Sequence, residues 1–362
     1  MSQLRIRGAL RALAALALLA FGGHAVASTL NQNVSWTIDR PGTTAKYRIV
    51  AYGDSIYAGY NGSILNAARF AAPTVDAEYL SAQWNADIES VRRAKSGAVA
   101  SDVYNNKIVA ERSYMQATNT RVVSFEMCGN DGLQARSALK AQTGTCNYSV
   151  LSNAEANCKT YVARAMDYIN ANAYAGVKLK VVSNLFYPGY AADNVQSSCR
   201  DPGTGATVNL QEKFLPALAR MNYWMCEYAR QKGWQCTDSF ADYMGADYDR
   251  NGDGLVDSEA LRFTAGESES NYVTRITSTL RSTIRDANTH LVSASSSFDY
   301  IQSDDVHPTY TGGTVTAGLF GGSTGTGAPR YSIITGGKNP IWNRYGHERM
   351  GWRLSTSNPL AP

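Results

Sequence analysis

Short apolar runs separated by helix-length amphipathic stretches confine this chain to one broad architecture. The runs are residues 47–52, 88–91, 122–127, 177–186 and 234–237, rich in β-branched and aromatic side chains. Between them, residues 154–171 and 212–231 carry apolar positions at helical spacing. Strands joined through helices need crossover connections, which make the strands parallel and cover both faces of the sheet. The expectation is an α/β fold of three layers, α/β/α, around a mostly parallel five-stranded sheet. In such a sheet the functional loops lie beyond the carboxyl ends of the strands.

The N-terminus reads as a targeting segment. Arg5, Arg7 and Arg11 precede an apolar stretch at 12–21, too short to span a bilayer, and Ala25-Val26-Ala27 has the small residues of a cleavage site. The expectation is a secreted or periplasmic protein whose signal peptide, residues 1–27, is cleaved after Ala27. Residues 28–362 then form a single domain with ample length for a core. Losing the three leader arginines lowers the formal charge from +4 to +1. With no block of Lys or Arg, nucleic acid is excluded as a partner, and no second long apolar run supplies a transmembrane segment. The sequence carries no signal for an oligomeric state.

Cys128, Cys146, Cys158, Cys199, Cys226 and Cys236 make an even set, and no C-x-x-C spacing points to zinc. In an exported chain these read as disulfides. The local pairs Cys146–Cys158 and Cys226–Cys236 are expected, leaving Cys128–Cys199.

Three loops after apolar runs carry small or polar residues: Gly53-Asp54-Ser55, Gly129-Asn130-Asp131 and Tyr187-Pro188-Gly189; the first two are expected at one end of the sheet, where Ser96-Gly97-Ala98 would join them. Far downstream comes Asp304-Asp305-Val306-His307-Pro308. Alone, the first tripeptide is an ordinary turn and the last segment an ordinary surface loop. Together they supply what nucleophilic catalysis needs. A serine hydroxyl attacks only when a base takes its proton, and an acid beside a histidine fixes the tautomer and stabilises the imidazolium. In D-x-x-H the acid lies three residues before the histidine, so both can face one point. Asp304 has that spacing, and Asp305 competes with it.

On these four blocks the chain resembles the SGNH or GDSL hydrolases, over nearly all of the mature length and in the family's order. The resemblance implies a flavodoxin-like sandwich and a carboxylic ester hydrolase that passes through an acyl-serine. It makes Ser55 the nucleophile, His307 the base and Asp304 the orienting acid. The oxyanion hole would comprise the Ser55 and Gly97 backbone N–H groups and the Asn130 side chain. No cofactor is implied for catalysis. Two departures stand out. Cys128 occupies the place of the first glycine in the usual G-x-N-D block, where a disulfide could hold the loop instead. A Gly/Thr-rich insertion at 312–343 separates His307 from the final helix, which resumes near Tyr345 with His347 as helix-start scaffolding.

Two further motifs need weighing. Gly321-Gly322-Ser323-Thr324-Gly325 has the G-x-S-x-G pattern, but no aspartate follows it and its setting is neither strand nor helix, so Ser323 is rejected. The segment at 247–260 resembles a calcium loop. Asp249, Asn251, Asp253, Leu255 (through its carbonyl), Asp257 and Glu259 would bind a structural Ca²⁺, although position twelve is Ala260. Its bland alternative is a solvated turn.

Tyr57, Tyr60, Phe186, Tyr187, Tyr190 and Tyr310 follow strand ends or His307 and could rim a substrate site. The substrate expected is a small-molecule, lipid or polymer ester. An esterase or lipase is expected first and a carbohydrate O-acetylesterase second. The competing class is a calcium-dependent surface-binding protein on an inactive hydrolase fold.

Overall fold

In the computed structural model, residues 31–63, 65–245, 259–284, 300–318, 323–330 and 345–356 are described. The leader, the calcium-like positions 249–258 and the side chain of Glu259 lie outside them.

The strands are β1 Val34–Ile38, β2 Lys46–Gly53, β3 Asn66–Ala68, β4 Asp87–Ala94, β5 Thr120–Glu126, β6 Gly144–Thr145, β7 Leu179–Ser183, β8 Gln196–Arg200, β9 Thr207–Asn209, β10 Gln235–Thr237, β11 Thr314–Thr316 and β12 Ser323–Gly327. The central sheet has the order β10-β7-β5-β2-β4-β1-β12. From β10 to β4 all neighbours are parallel. These are the five strands expected from the apolar runs. From Ile49 onward β2 is buried on both faces, which is why it reads as continuous apolar sequence rather than alternation.

The sheet is nonetheless seven-stranded, not five-stranded. β1 adds antiparallel to β4, and β12 adds parallel to β1. Thus part of the Gly/Thr-rich insertion completes the sheet edge. Its other described strand, β11, pairs with β3. Ser323 of the rejected G-x-S-x-G lies on β12, where its hydroxyl donates to the Thr316 carbonyl. Run 177–186 is also shorter as a strand, ending at Ser183 before the loop 184–188.

The helices used below are α1 Ser55–Ala58, α2 Ala72–Trp84, α3 Gly129–Lys140, α4 Ser149–Asn172, α5 Leu210–Gln231 and α6 Gly346–Thr356. α2 and α6 pack together over one face; α4 and α5 pack together on the other. α2 was not legible in the sequence. Its first ten residues, Thr74, Asp76, Glu78 and Ser81 among them, are all buried between sheet and α6. A helix covered all round shows no polar face.

Arg330, after β12, fastens the insertion to this layer. It meets Glu78 of α2 at 2.6 Å and Glu348 of α6 at 3.1 Å, and lies over the Phe70 ring. Both carboxylates are fully buried. Removing the arginine would leave them unpaired in low dielectric.

Three disulfides form, and two of the expected pairs are wrong. Cys226–Cys236 stands, but the others are Cys128–Cys158 and Cys146–Cys199. The reason is a long-range pairing. β6 runs parallel to β8 with Gly144 opposite Cys199, which sets Cys146 beside Cys199. Cys158, buried on α4, is left to face Cys128 at the start of α3. Three disulfides fit an oxidising compartment. Among the described residues no helix is long and apolar enough to cross a membrane.

Cys128 has φ +81°, a left-handed backbone that costs a non-glycine residue about 1–2 kcal/mol. Breaking the Cys128–Cys158 link, which closes a 30-residue separation, should cost about 3–4 kcal/mol. In denaturant unfolding, Cys128→Gly/Cys158→Ala should be more stable than Cys128→Ala/Cys158→Ala, because glycine relieves the strained φ.

Candidate active site

Parallel pairing of β2 with both β4 and β5 sets three loops side by side. Gly53 lies opposite Ala94, and Tyr52 opposite Phe125. The chain leaving β2 therefore delivers Ser55 next to Gly97, after β4, and Asn130, after β5. This is where a doubly wound sheet reverses its strand order.

Ser55 opens the single turn of α1 and is buried. Asp54 caps that turn: its carboxylate accepts from the Ile56 N–H at 2.9 Å. Gly97 has φ +76°, and its turn is closed by the Ala98 N–H on the Lys95 carbonyl. No backbone acceptor among the described residues takes the Ser55 or Gly97 N–H. Asn130 is tied to both neighbours. Its amide nitrogen donates to Asp54 at 2.9 Å and to the Ala98 carbonyl at 3.0 Å. Both amide hydrogens are thus in use, and a bond from Asn130 to an oxyanion needs one of them shared or exchanged. Asp131 strengthens the junction by accepting from the Ala100 N–H at 2.7 Å and from Asn157.

The fourth block arrives on a loop. His307 Nδ1 and Asp304 Oδ2 are 2.6 Å apart. The other Asp304 oxygen accepts from the Val306 and His307 N–H groups at 3.0 and 2.9 Å, so the acid both shapes the turn and meets the imidazole. Asp304, not Asp305, is the partner of His307. Partial burial works to raise the Asp304 carboxyl, but the His307 hydrogen bond and charge outweigh it and hold it below the usual range. His307 Nε2, which points away from Asp304, is buried with no hydrogen-bond partner among the described residues. Tyr60 fixes the ring's position: their centroids lie 4.4 Å apart, and the Tyr60 N–H bonds the Ser55 carbonyl at 3.0 Å. Gln302 spans the gap, donating to the Tyr60 and Pro308 carbonyls. Burial raises the carboxyl of Asp54, the residue before Ser55, above its usual range, while the hydrogen bonds from Ile56 and Asn130 oppose that rise. Ser55 and His307 are not hydrogen-bonded to each other here, and such contacts commonly tighten only with substrate.

A cleft opens beside Ser55. Asp54, Glu126 and Asn130 give it a polar side, while Ile56, Leu133, Leu185, Phe186, Phe214 and Met350 make the rest apolar. Of the six candidate rim aromatics only Phe186 lines it. Tyr57 is fully buried, and Tyr187 is buried with its hydroxyl on Asp193. Tyr310 bonds Asn61. No described residue of the insertion lines the cleft.

Glu126 was missed. It ends β5, is buried, lines the cleft and accepts from the Asp54 N–H at 3.4 Å. The available signal was a charged residue inside the apolar run 122–127.

No protein-family model and no curated protein sequence matches the chain. It is similar to three solved structures, among others. The lipase Lip_vut3 from a goat rumen metagenome is 16% identical, with 66% of this chain and 97% of that one covered and a TM-score of 0.41. An extracellular lipase from Streptomyces rimosus is 17% identical over 66% and 99%, with a TM-score of 0.39. Axe2, an acetylxylan esterase from Geobacillus stearothermophilus, is 14% identical over 56% and 80%, at 0.34. Likeness at this level leaves strand order and site geometry to define the fold.

His347 is scaffolding, as expected. Fully buried, its Nδ1 accepts from the Ala72 N–H at 3.3 Å and so caps α2. Burial, then Arg92 and His307, push its pKa down from 6.5 to about 3. The folded state therefore stays neutral there while the unfolded chain takes up a proton. Stability contributed by neutral His347 is full above pH 6.5 and is lost as the pH falls toward 3. Denaturant unfolding across this interval should show that loss, and His347→Asn should flatten it.

Proposed function

We propose that this chain is an exported serine ester hydrolase of the SGNH type. The observation that carries the reading is His307, with Nδ1 held by Asp304 and Nε2 buried, unpartnered and beside the Ser55 turn. A base in this state has one nitrogen free to take a proton and the other fixed by an anion.

In this reading His307 Nε2 removes the Ser55 hydroxyl proton as Oγ attacks the ester carbonyl. The negative charge on the carbonyl oxygen meets the unpaired Ser55 and Gly97 N–H groups, with Asn130 joining once one of its bonds is exchanged. His307 then gives its proton to the departing alcohol, leaving acyl-Ser55. The same imidazole activates a water, which releases the acid and restores the serine. Asp304 stays ionised throughout, stabilising the imidazolium.

The apolar side of the cleft favours an acyl chain longer than acetyl. This supports an esterase or lipase over a carbohydrate O-acetylesterase. p-Nitrophenyl butyrate should turn over faster than the acetate, with palmitate marking the upper limit of the cleft. Ser55→Ala should lower kcat by about 10⁴-fold or more, and Asp304→Asn by about 10²- to 10⁴-fold. Asp305→Asn should stay near wild type. Equal turnover by wild type and Ser55→Ala would refute the assignment; turnover of acetate alone would favour the O-acetylesterase.

The same proposal takes the leader as a cleaved signal peptide and the acidic loop as a structural Ca²⁺ site. Oxygen donors from Asp249, Asn251, Asp253, Asp257 and Glu259 suit a hard cation. EDTA should lower the melting temperature and added Ca²⁺ restore it. An unmoved melt would contradict the calcium site without touching the catalytic reading.

A further inference from the structure

Two carboxyls share one buried position beneath the Ser55 turn. Asp54 ends the β2 loop and Glu126 ends β5, and their relative exposures are 1% and 2%. The Asp54 N–H donates to Glu126 Oε2 at 3.4 Å, which sets the two carboxyls side by side at the buried end of the cleft. Two buried carboxyls this close oppose each other's ionisation, which favours a single proton shared by the pair. The hydrogen bonds say which acid holds it. Asp54 accepts from the Ile56 N–H and the Asn130 amide, bonds that favour its charged form. Among the described residues the Glu126 carboxyl accepts only the long 3.4 Å bond from the Asp54 N–H, and burial followed by the charge of Asp54 pushes its pKa well up.

We propose that Glu126 is a positioning residue that works as an acid, donating its proton to Asp54 and so holding the Asp54 carboxylate on Asn130 and the Ser55 turn. This rests on the ester-hydrolase reading and adds a group to it. Glu126 does not touch the reacting bond in this account; it acts through Asp54. When the pair gives up its shared proton to solvent at alkaline pH, two anions face each other, Asp54 is repelled, and the oxyanion donors lose their alignment.

The titratable surroundings make the pair distinctive. Tyr57 of α1 lies close enough to feel the Glu126 charge, and Asp76 of α2 acts on the same tyrosine. Asp131 at the start of α3 and His307 on the catalytic loop act on Asp54. Burial pushes the Tyr57 hydroxyl and the Asp76 carboxyl up, toward their neutral forms. The anionic charge of the region therefore rests on the hydrogen-bonded Asp54 and Asp131, and Glu126 decides whether another anion is added.

The test is the pH profile of kcat and kcat/KM on p-nitrophenyl butyrate for wild type, E126Q and E126L, with melting temperatures measured alongside. E126Q keeps a donor to Asp54 but cannot ionise. Its kcat at neutral pH should remain near wild type, and its alkaline decline should shift upward or disappear. E126L removes the donor, so kcat should fall at least about tenfold with KM little changed. An E126Q profile with the wild-type alkaline limb, or an E126L kcat equal to wild type, overturns the proposal. A second readout needs no variant. In wild type, infrared absorption from protonated carboxyl groups should lose intensity over the same pH interval as activity, and a constant band there also overturns it. If wild type shows no Ser55-dependent hydrolysis, the ester-hydrolase reading falls first and this inference with it. Ser55-dependent hydrolysis with unchanged Glu126 variants condemns the Glu126 role alone.

Discussion

The buried Asp54 carboxylate joins the segments on which the site depends. It caps the turn that carries Ser55, accepts from the Asn130 amide at the start of α3, and lies beside Glu126 at the end of β5, which accepts from the Asp54 N–H. Each partner comes from a different part of the chain, and only the parallel register of β2 with β5 brings them together. In a site shielded from water, such bonds are strong when complete and costly when one member is missing. The fold thus supplies a single point where sheet register, helix start and the Ser55 turn are fixed at once.

The Cys128–Cys158 disulfide acts on the same junction from outside. Cys128 caps α3 in a left-handed backbone that glycine would adopt freely, directly before Gly129 and Asn130. Its link to α4 holds the strained turn and so the approach of Asn130 to Asp54. On the opposite layer, His347 caps α2 and Arg330 bridges α2 to α6. The described part of the insertion braces this layer and the sheet edge. It lies apart from the lining of the cleft, which comes from the end of β5, α1, α3, the loop after β7, α5, the His307 loop and α6.

Much of this was legible because local chemistry and global fold agree. The inner parallel strands β2, β4, β5 and β7 are largely buried on both faces and read as apolar runs; α4 and α5 each keep a solvent face and read as amphipathic. The pairing of Asp304 with His307 was legible because D-x-x-H geometry is local: the turn that Asp304 caps also holds the imidazole. What escaped depends on distant partners. α2 lost its periodicity by being covered all round. β12 is glycine and threonine, and becomes a strand only because β1 offers an edge. The pairing of Cys146 with Cys199 follows from a β6–β8 contact that no spacing rule contains. Glu126 was visible as a charge in an apolar run, but its meaning required knowing that β2 and β5 are neighbours.

Phosphonylation tests the central claim most directly, because it needs the nucleophile, its base and the Asp54 junction but no knowledge of the natural ester. Wild type and Asp54→Asn would be treated with a fluorophosphonate, the rate followed by intact mass and the modified residue identified by peptide sequencing. The account predicts a single adduct on Ser55, formed at least about tenfold more slowly in Asp54→Asn. An adduct on another residue, or equal rates in the two proteins, would contradict it.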